Sequence, residues 1–108
     1  MATITPKVLA EGQLATTKGT LYTVPASTTA YVKFLSVFNT SATTQTVIIY
    51  AKPGAVSREI GRFVLAQNES ARVIEKDEAL TLDAGDLIEG QTTTASVVNF
   101  LITGAEEA

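Results

Sequence analysis

The chain has 108 residues, of which 45% are hydrophobic and 18% charged, with a formal net charge of −3. That size and balance suit one packed domain with a single core and exclude a disordered segment. Cysteine and histidine are both absent, which excludes disulfides, thiolate chemistry, the commonest metal ligand and the usual general base near neutral pH.

Valine, isoleucine and threonine number 10, 7 and 17, so 34 of 108 residues are β-branched. Stiff branched side chains favour a pleated sheet over a helix, and the class is all-β. From the N-terminus, Ala2 to Ala10 alternates loosely through Ile4, Val8 and Leu9 around Pro6. Proline makes this an edge strand or an extended arm, residues 1–10, that pairs with a neighbouring subunit; the alternative is a frayed terminus. Gln13–Thr17 and Thr20–Val24 flank Lys18-Gly19 as a tight hairpin, with Gly19 at positive φ. Pro25 closes the second of these runs.

Ala30–Phe38 reads as the core strand. Val32, Phe34 and Phe38 fall on one alternating set and Tyr31, Leu35 and Val37 on the other, with Lys33 and Ser36 as polar interruptions. Such a run needs both faces covered, or a bulge that shifts its phase midway. Asn39–Thr44 is a polar loop, Gln45–Lys52 the next strand, and Pro53-Gly54 the centre of a type II turn. Ser57–Ala66 could line a helix face through Ile60, Phe63 and Val64, but Gly61 weakens that helix by about 1 kcal/mol. A buried strand from Ile60 to Leu65 is favoured. Glu69–Asp77 and Ala79–Leu82 follow, then a turn at Asp83-Ala-Gly-Asp86 in which Asp83 bonds its downstream backbone and Gly85 is left-handed. Leu87-Ile88 enters a strand, Gly90–Thr94 is a loop, and Ser96–Thr103 is the last strand. Residues 104–108 form a mobile acidic tail. About eight short strands at intervals of roughly ten residues predict a single-domain antiparallel β-sandwich, jelly-roll-like, over residues 1–108.

No catalytic constellation survives this inventory. Ser27, Ser36, Ser41, Ser57, Ser70 and Ser96 have no histidine to activate them. Asp83 and Asp86 could offer carboxylates to calcium, but a Ca²⁺ site wants about six to eight oxygens, and a turn explains them. Glu75, Asp77, Glu78 and Glu89 could supply a glycosidase pair, yet tryptophan is absent and tyrosine numbers three, few for stacking on sugars. The expectation is no enzyme, no catalytic residue, no metal and no cofactor. Residues 1–50 carry a charge of +2 (Lys7, Lys18 and Lys33 against Glu11) and the remainder −5. Arg58, Arg62 and Arg72 are diluted by Glu59 and Glu69, so nucleic acid is not expected as a partner. Nor is a membrane, since no run reaches about 18 apolar residues. The first residues lack the order of a signal peptide, so synthesis in a cytoplasm is expected.

The stretches Leu21–Ser41 (LYTVPASTTAYVKFLSVFNTS), Thr46–Gly54 (TVIIYAKPG) and Ala79–Gly90 (ALTLDAGDLIEG) carry a resemblance. From Leu9 to Gly104 the chain resembles a family of small β-sandwich structural proteins of tailed bacteriophages, found as head-decoration, fibre or tail-associated components. The resemblance implies a virion location after synthesis in the host cytoplasm. It also implies self-association, most simply as a trimer on local threefold positions of a shell, with the major capsid protein or other virion proteins as partners. A capsid decoration protein is the first reading. A tail- or fibre-associated adaptor, or a receptor- or carbohydrate-binding module, is the alternative, since sandwiches carry such sites on their loops.

Overall fold

The computed structural model describes residues 3–74 and 80–108. Among them there are nine strands and no helix: β1 (Ile4–Gln13), β2 (Gly19–Thr23), β3 (Thr29–Asn39), β4 (Gln45–Lys52), β5 (Arg58–Leu65), β6 (Ser70–Ile74), β7 (Leu80–Leu82), β8 (Leu87–Gln91) and β9 (Val98–Glu107). All pairing is antiparallel. One sheet runs β1-β9-β3-β6 with β7 also on β3, and the other runs β2-β8-β4-β5. β6 meets β3 at Leu35–Phe38 and β7 meets it at Ala30–Val32, along the same edge. Taken as one interrupted strand, they give the eight-stranded jelly roll of two facing sheets. The predicted sandwich is correct. The count of nine against about eight comes from β6 and β7, which both pair with the same edge of β3.

The core lies between the sheets. Leu14, Val24, Val32, Leu35, Val37, Val47, Ile49, Leu82, Ile88, Val98 and Ile102 are fully buried there. β4 buries every second residue without a break, from Gln45 to Ala51. β3 does not: it buries Ala30 and Val32, then Leu35, Val37 and Asn39. Its register against β9 slips between Val32 and Phe34. This is the bulge that the sequence left open, and it moves the inward phase by one residue. Opposite it, Gly104 packs so close to β3 that a Cβ would land on the Tyr31 carbonyl. Only glycine fits there.

Several expectations change. Phe34 is half-buried and Phe38 exposed, so the core residues of β3 are Val32, Leu35 and Val37. β5 is a strand, as favoured, but an exposed edge one with only Leu65 buried. The proposed hairpin at Lys18-Gly19 is a crossover between sheets, with β1 in one and β2 in the other. Gly19 accordingly is not among the residues of positive φ, whereas Gly54 and Gly85 are, both at 86°. Of the readings for residues 4–10, the edge strand is the correct one and the arm is not: they pair along β9 from Ile4↔Glu107 to Ala10↔Ile102, at the edge of the sheet. Gly104–Glu107 is not a tail either, since β9 lies between β1 and β3 to its end. The parts of the expected strands at Glu75–Asp77 and Ala79 lie outside the described residues, as does Ala2.

Candidate interaction face

Antiparallel partners point to the same side of a sheet. Since Val32, Leu35 and Val37 face the core, Tyr31, Phe34, Ser36 and Phe38 face outward, and so do their β9 partners Ala105, Thr103, Leu101 and Asn99. β1 extends the rows with Pro6 beside Ala105, Val8 beside Thr103, Glu11 beside Leu101 and Gln13 beside Asn99. β6 adds Arg72 beside Ser36 and Ser70 beside Phe38. The outer face of this sheet therefore carries Ile4 (59% exposed), Val8 (54%), Phe38 (38%) and Leu101 (37%). The Arg72 guanidinium lies over the Phe34 ring, 5.8 Å from its centroid. Tyr31 donates its hydroxyl proton to Glu107 Oε1 at 2.6 Å, and so ties the acidic end of β9 to this face.

The other sheet also exposes apolar side chains, Ile60 (40%) and Val64 (67%) on β5, but its outer face ties its polar groups to one another. Arg62 forks onto Glu59 with bonds of 3.0 and 2.9 Å, Tyr50 donates to Gln91, and Ser57 donates to Glu89. Lys18 Nζ sits 4.6 Å from the Tyr50 ring centroid. The three arginines of the sequence thus do not gather: Arg58 and Arg62 lie on β5 and Arg72 on the opposite sheet.

The two ends of the sandwich are closed by their own polar groups. At one end the buried Asn39 donates to the carbonyls of Thr43, Leu65 and Ala66. Its side-chain oxygen accepts from Ser41. Gln45, also buried, accepts from Thr92 and from the Thr94 amide. At the other end, both carboxylate oxygens of Asp86 accept backbone protons, from Asp83 N at 2.9 Å and Gly54 N at 3.1 Å. The turn is where the sequence placed it, but the carboxylate that fastens it is Asp86 and not Asp83. Nearby, Tyr22 donates to Glu106 Oε2 at 2.6 Å, and Lys7 reaches Oε1 at 3.2 Å. The tyrosine hydroxyl, with help from Lys7, holds the Glu106 carboxyl below the usual carboxylate range against the opposing effect of burial. Burial, and then Glu106 itself, push the Tyr22 hydroxyl well above its ordinary range.

Among the described residues no three acidic side chains converge as a metal-ligand set. Glu89 is on β8 beside Ser57, while Glu75, Asp77 and Glu78 lie outside the described residues. No helix among the described residues is long and apolar enough to cross a membrane. The outward set on β1 and β9 was missed at the level of sequence. Its signals in the sequence were Ile4 and Val8, read there as part of a possible arm, and Leu101, an apolar residue between Asn99 and Thr103 on the polar alternation of the last strand.

No protein-family model matches the chain, and no curated protein matches it in sequence. Solved structures do resemble it. A chain of the Bacillus endospore appendages, described as a family of disulfide-linked pili, aligns with a TM-score of 0.52 at 18% identity, over 98% of this chain and 88% of that one. A chain of infectious bursal disease virus, Gx strain, aligns with a TM-score of 0.51 at 11% identity, over 99% of this chain and 32% of that one. This chain thus spans about a third of the virus chain's length. The fold is shared. Without cysteine, this chain cannot form the disulfide links for which the appendage family is described.

Proposed function

We propose that this protein is a structural component of a tailed-phage virion, a capsid decoration protein that binds the outer shell and stabilises it as a homo-oligomer. The reading assigns it no catalytic role, cofactor, metal, nucleic acid or membrane. The observation that carries it is the outer face of β1-β9-β3-β6, where Val8, Leu101 and Phe38 are exposed in successive rows and Ile4 is exposed at the far end of β1. Exposed apolar side chains gathered on one face mark a protein-contact surface. The loops at both ends spend their polar groups on internal bonds, which favours a rigid building block over a loop-borne binding site. The likeness to an appendage chain and a virus chain supports the reading at the level of fold. Copy number is a separate matter, for which threefold positions of a shell would take a trimer.

The second reading, a tail- or fibre-associated component, is favoured by the near full-length match to the appendage chain. Mass spectrometry of phage particles purified from a host carrying this gene tests both. Its peptides should be present at high copy, and a label at Ala108 should decorate the head. Label confined to the tail moves the assignment to the second reading, and absence from particles ends both.

A further inference from the structure

We propose that the outer face of β1-β9-β3-β6 pairs with the same face of a second copy of this chain, across a two-fold axis parallel to the strands. The inference rests on reading that face as an assembly surface and adds its occupant. An isologous contact requires the surface to be complementary to itself. A two-fold axis lying in the interface between β9 and β3 sets β3 of one copy over β9 of the other, and β6 over β1.

Two properties of the face meet that requirement. The first is size. The registered rows are Tyr31 with Ala105, Phe34 with Thr103, Ser36 with Leu101 and Phe38 with Asn99. Rotation places each member over the other, so a bulky side chain meets a smaller one in the rows of Phe34, Leu101 and Phe38, while Ala105 is already buried within one copy. The reversal at Ser36 and Leu101 is the telling row, because there the large residue is on β9 and the small one on β3. The second property is charge. The row Glu11, Leu101, Ser36, Arg72 runs across the sheet with an acid at one end and a base at the other. Rotation sets Glu11 over Arg72 twice, once at each side of Leu101 and Ser36.

The area is modest. Four strands about 4.8 Å apart and some nine residue steps give a footprint of roughly 20 by 30 Å, or about 1,200 Å² over both copies. That is the lower limit for a specific interface, so the pairing is reversible and depends on concentration. Aligned sheets pack about 10 Å apart at about 30°, a separation that Phe34, Phe38 and Leu101 can span.

Light scattering coupled to size exclusion, with analytical ultracentrifugation across a dilution series, tests the pairing. The mass should approach twice 11.4 kDa at high concentration and fall toward one chain on dilution. Leu101→Glu should be monomeric throughout. Glu11→Arg and Arg72→Glu should each weaken the dimer about tenfold or more, and the double variant should recover it, because the two charges are exchanged together. Val64→Glu, on the other sheet, should leave the dimer intact. A monomer up to about millimolar concentration overturns the pairing, as does a mass of three chains, a dimer that Leu101→Glu leaves unchanged, or a double variant that does not recover. If a charge variant loses the far-UV circular dichroism of the parent, Leu101→Glu decides alone. A monomer still found in purified particles ends the pairing and leaves the virion reading, whereas a dimer absent from particles does the reverse.

Discussion

Leu35 and Phe38 stand three residues apart on β3 and face opposite sides of the sheet. Leu35 is fully buried, while Phe38 lies on the outer face. Leu35→Ala should therefore cost about 3 kcal/mol through lost burial and a cavity. Phe38→Ala should cost only about 1 kcal/mol, as for a partly exposed side chain. Urea unfolding of the monomer measures both, and equal costs would mean that the bulge has been placed wrongly. A second residue-scale effect is electrostatic. The folded carboxyl of Glu106 titrates below its ordinary value. Its contribution is therefore present above the unfolded carboxylate pKa of about 4.3 and is lost as pH falls through the folded value. Tyr22 has the opposite sign: its raised hydroxyl pKa favours the fold below the unfolded value of about 10, and that contribution is lost as pH rises further. Melting temperature should thus decline below about pH 4 and above about pH 10. Tyr22→Phe should flatten both limbs.

At the scale of elements, β1 shows how an edge is kept safe. Thr3 and Ala108 exchange both backbone bonds, at 3.0 and 3.1 Å. Bonding alternates along an antiparallel pair, so Ile4, Pro6 and Val8 direct their backbone groups away from β9. The donor that Pro6 lacks is thus missing from the open edge, where a foreign strand would otherwise pair. Proline here blocks strand addition, which suits the edge strand that the sequence allowed and not the arm. Pro6→Thr should keep the fold but raise aggregation on prolonged incubation, visible as a growing high-mass fraction in light scattering. No change would show that the edge is protected by something else. The Asp83–Asp86 turn offers another element-scale check. Asp86→Ala removes the acceptor of two backbone amides and should cost about 2 kcal/mol in urea unfolding. Dialysis against a chelator should leave the melting temperature where it was, and a fall of several degrees would restore the calcium assignment.

For the whole molecule, the connection that matters is between the chain ends. β9 is hydrogen-bonded to β1 on one side and β3 on the other, so strands some ninety residues apart in sequence complete one sheet. Removal of residues 104–108 should lower the melting temperature by on the order of 15 °C, a loss of about 3 kcal/mol in a domain of this size. A truncated chain as stable as the parent would show that this end is dispensable, as a tail would be. Pairing between strands this far apart in sequence is slow to form, and folding in the millisecond-to-second range of β-sandwiches is the expected outcome in stopped-flow refolding.

The sequence by itself determined the class, the positions of most strands and the turns at Pro53-Gly54 and Asp83–Asp86. These follow from local properties: β-branched bias, alternation, the φ that proline imposes and the left-handed backbone that glycine accepts. It also posed the question at Ala30–Phe38, where both alternating sets are apolar and two covered faces or a bulge would serve equally. Only the tertiary structure could answer it. The bulge sends Leu35 and Val37 inward, and that turns Phe34 and Phe38 outward. The same holds for the chain ends: whether an edge segment pairs at home, hangs free or joins a neighbour depends on what lies beside it in space, and β9 supplies that neighbour from the far end of the chain. The outer face needed both answers at once. Its rows are built from β1, β9, β3 and β6, which lie far apart in sequence and acquire a common surface only through register.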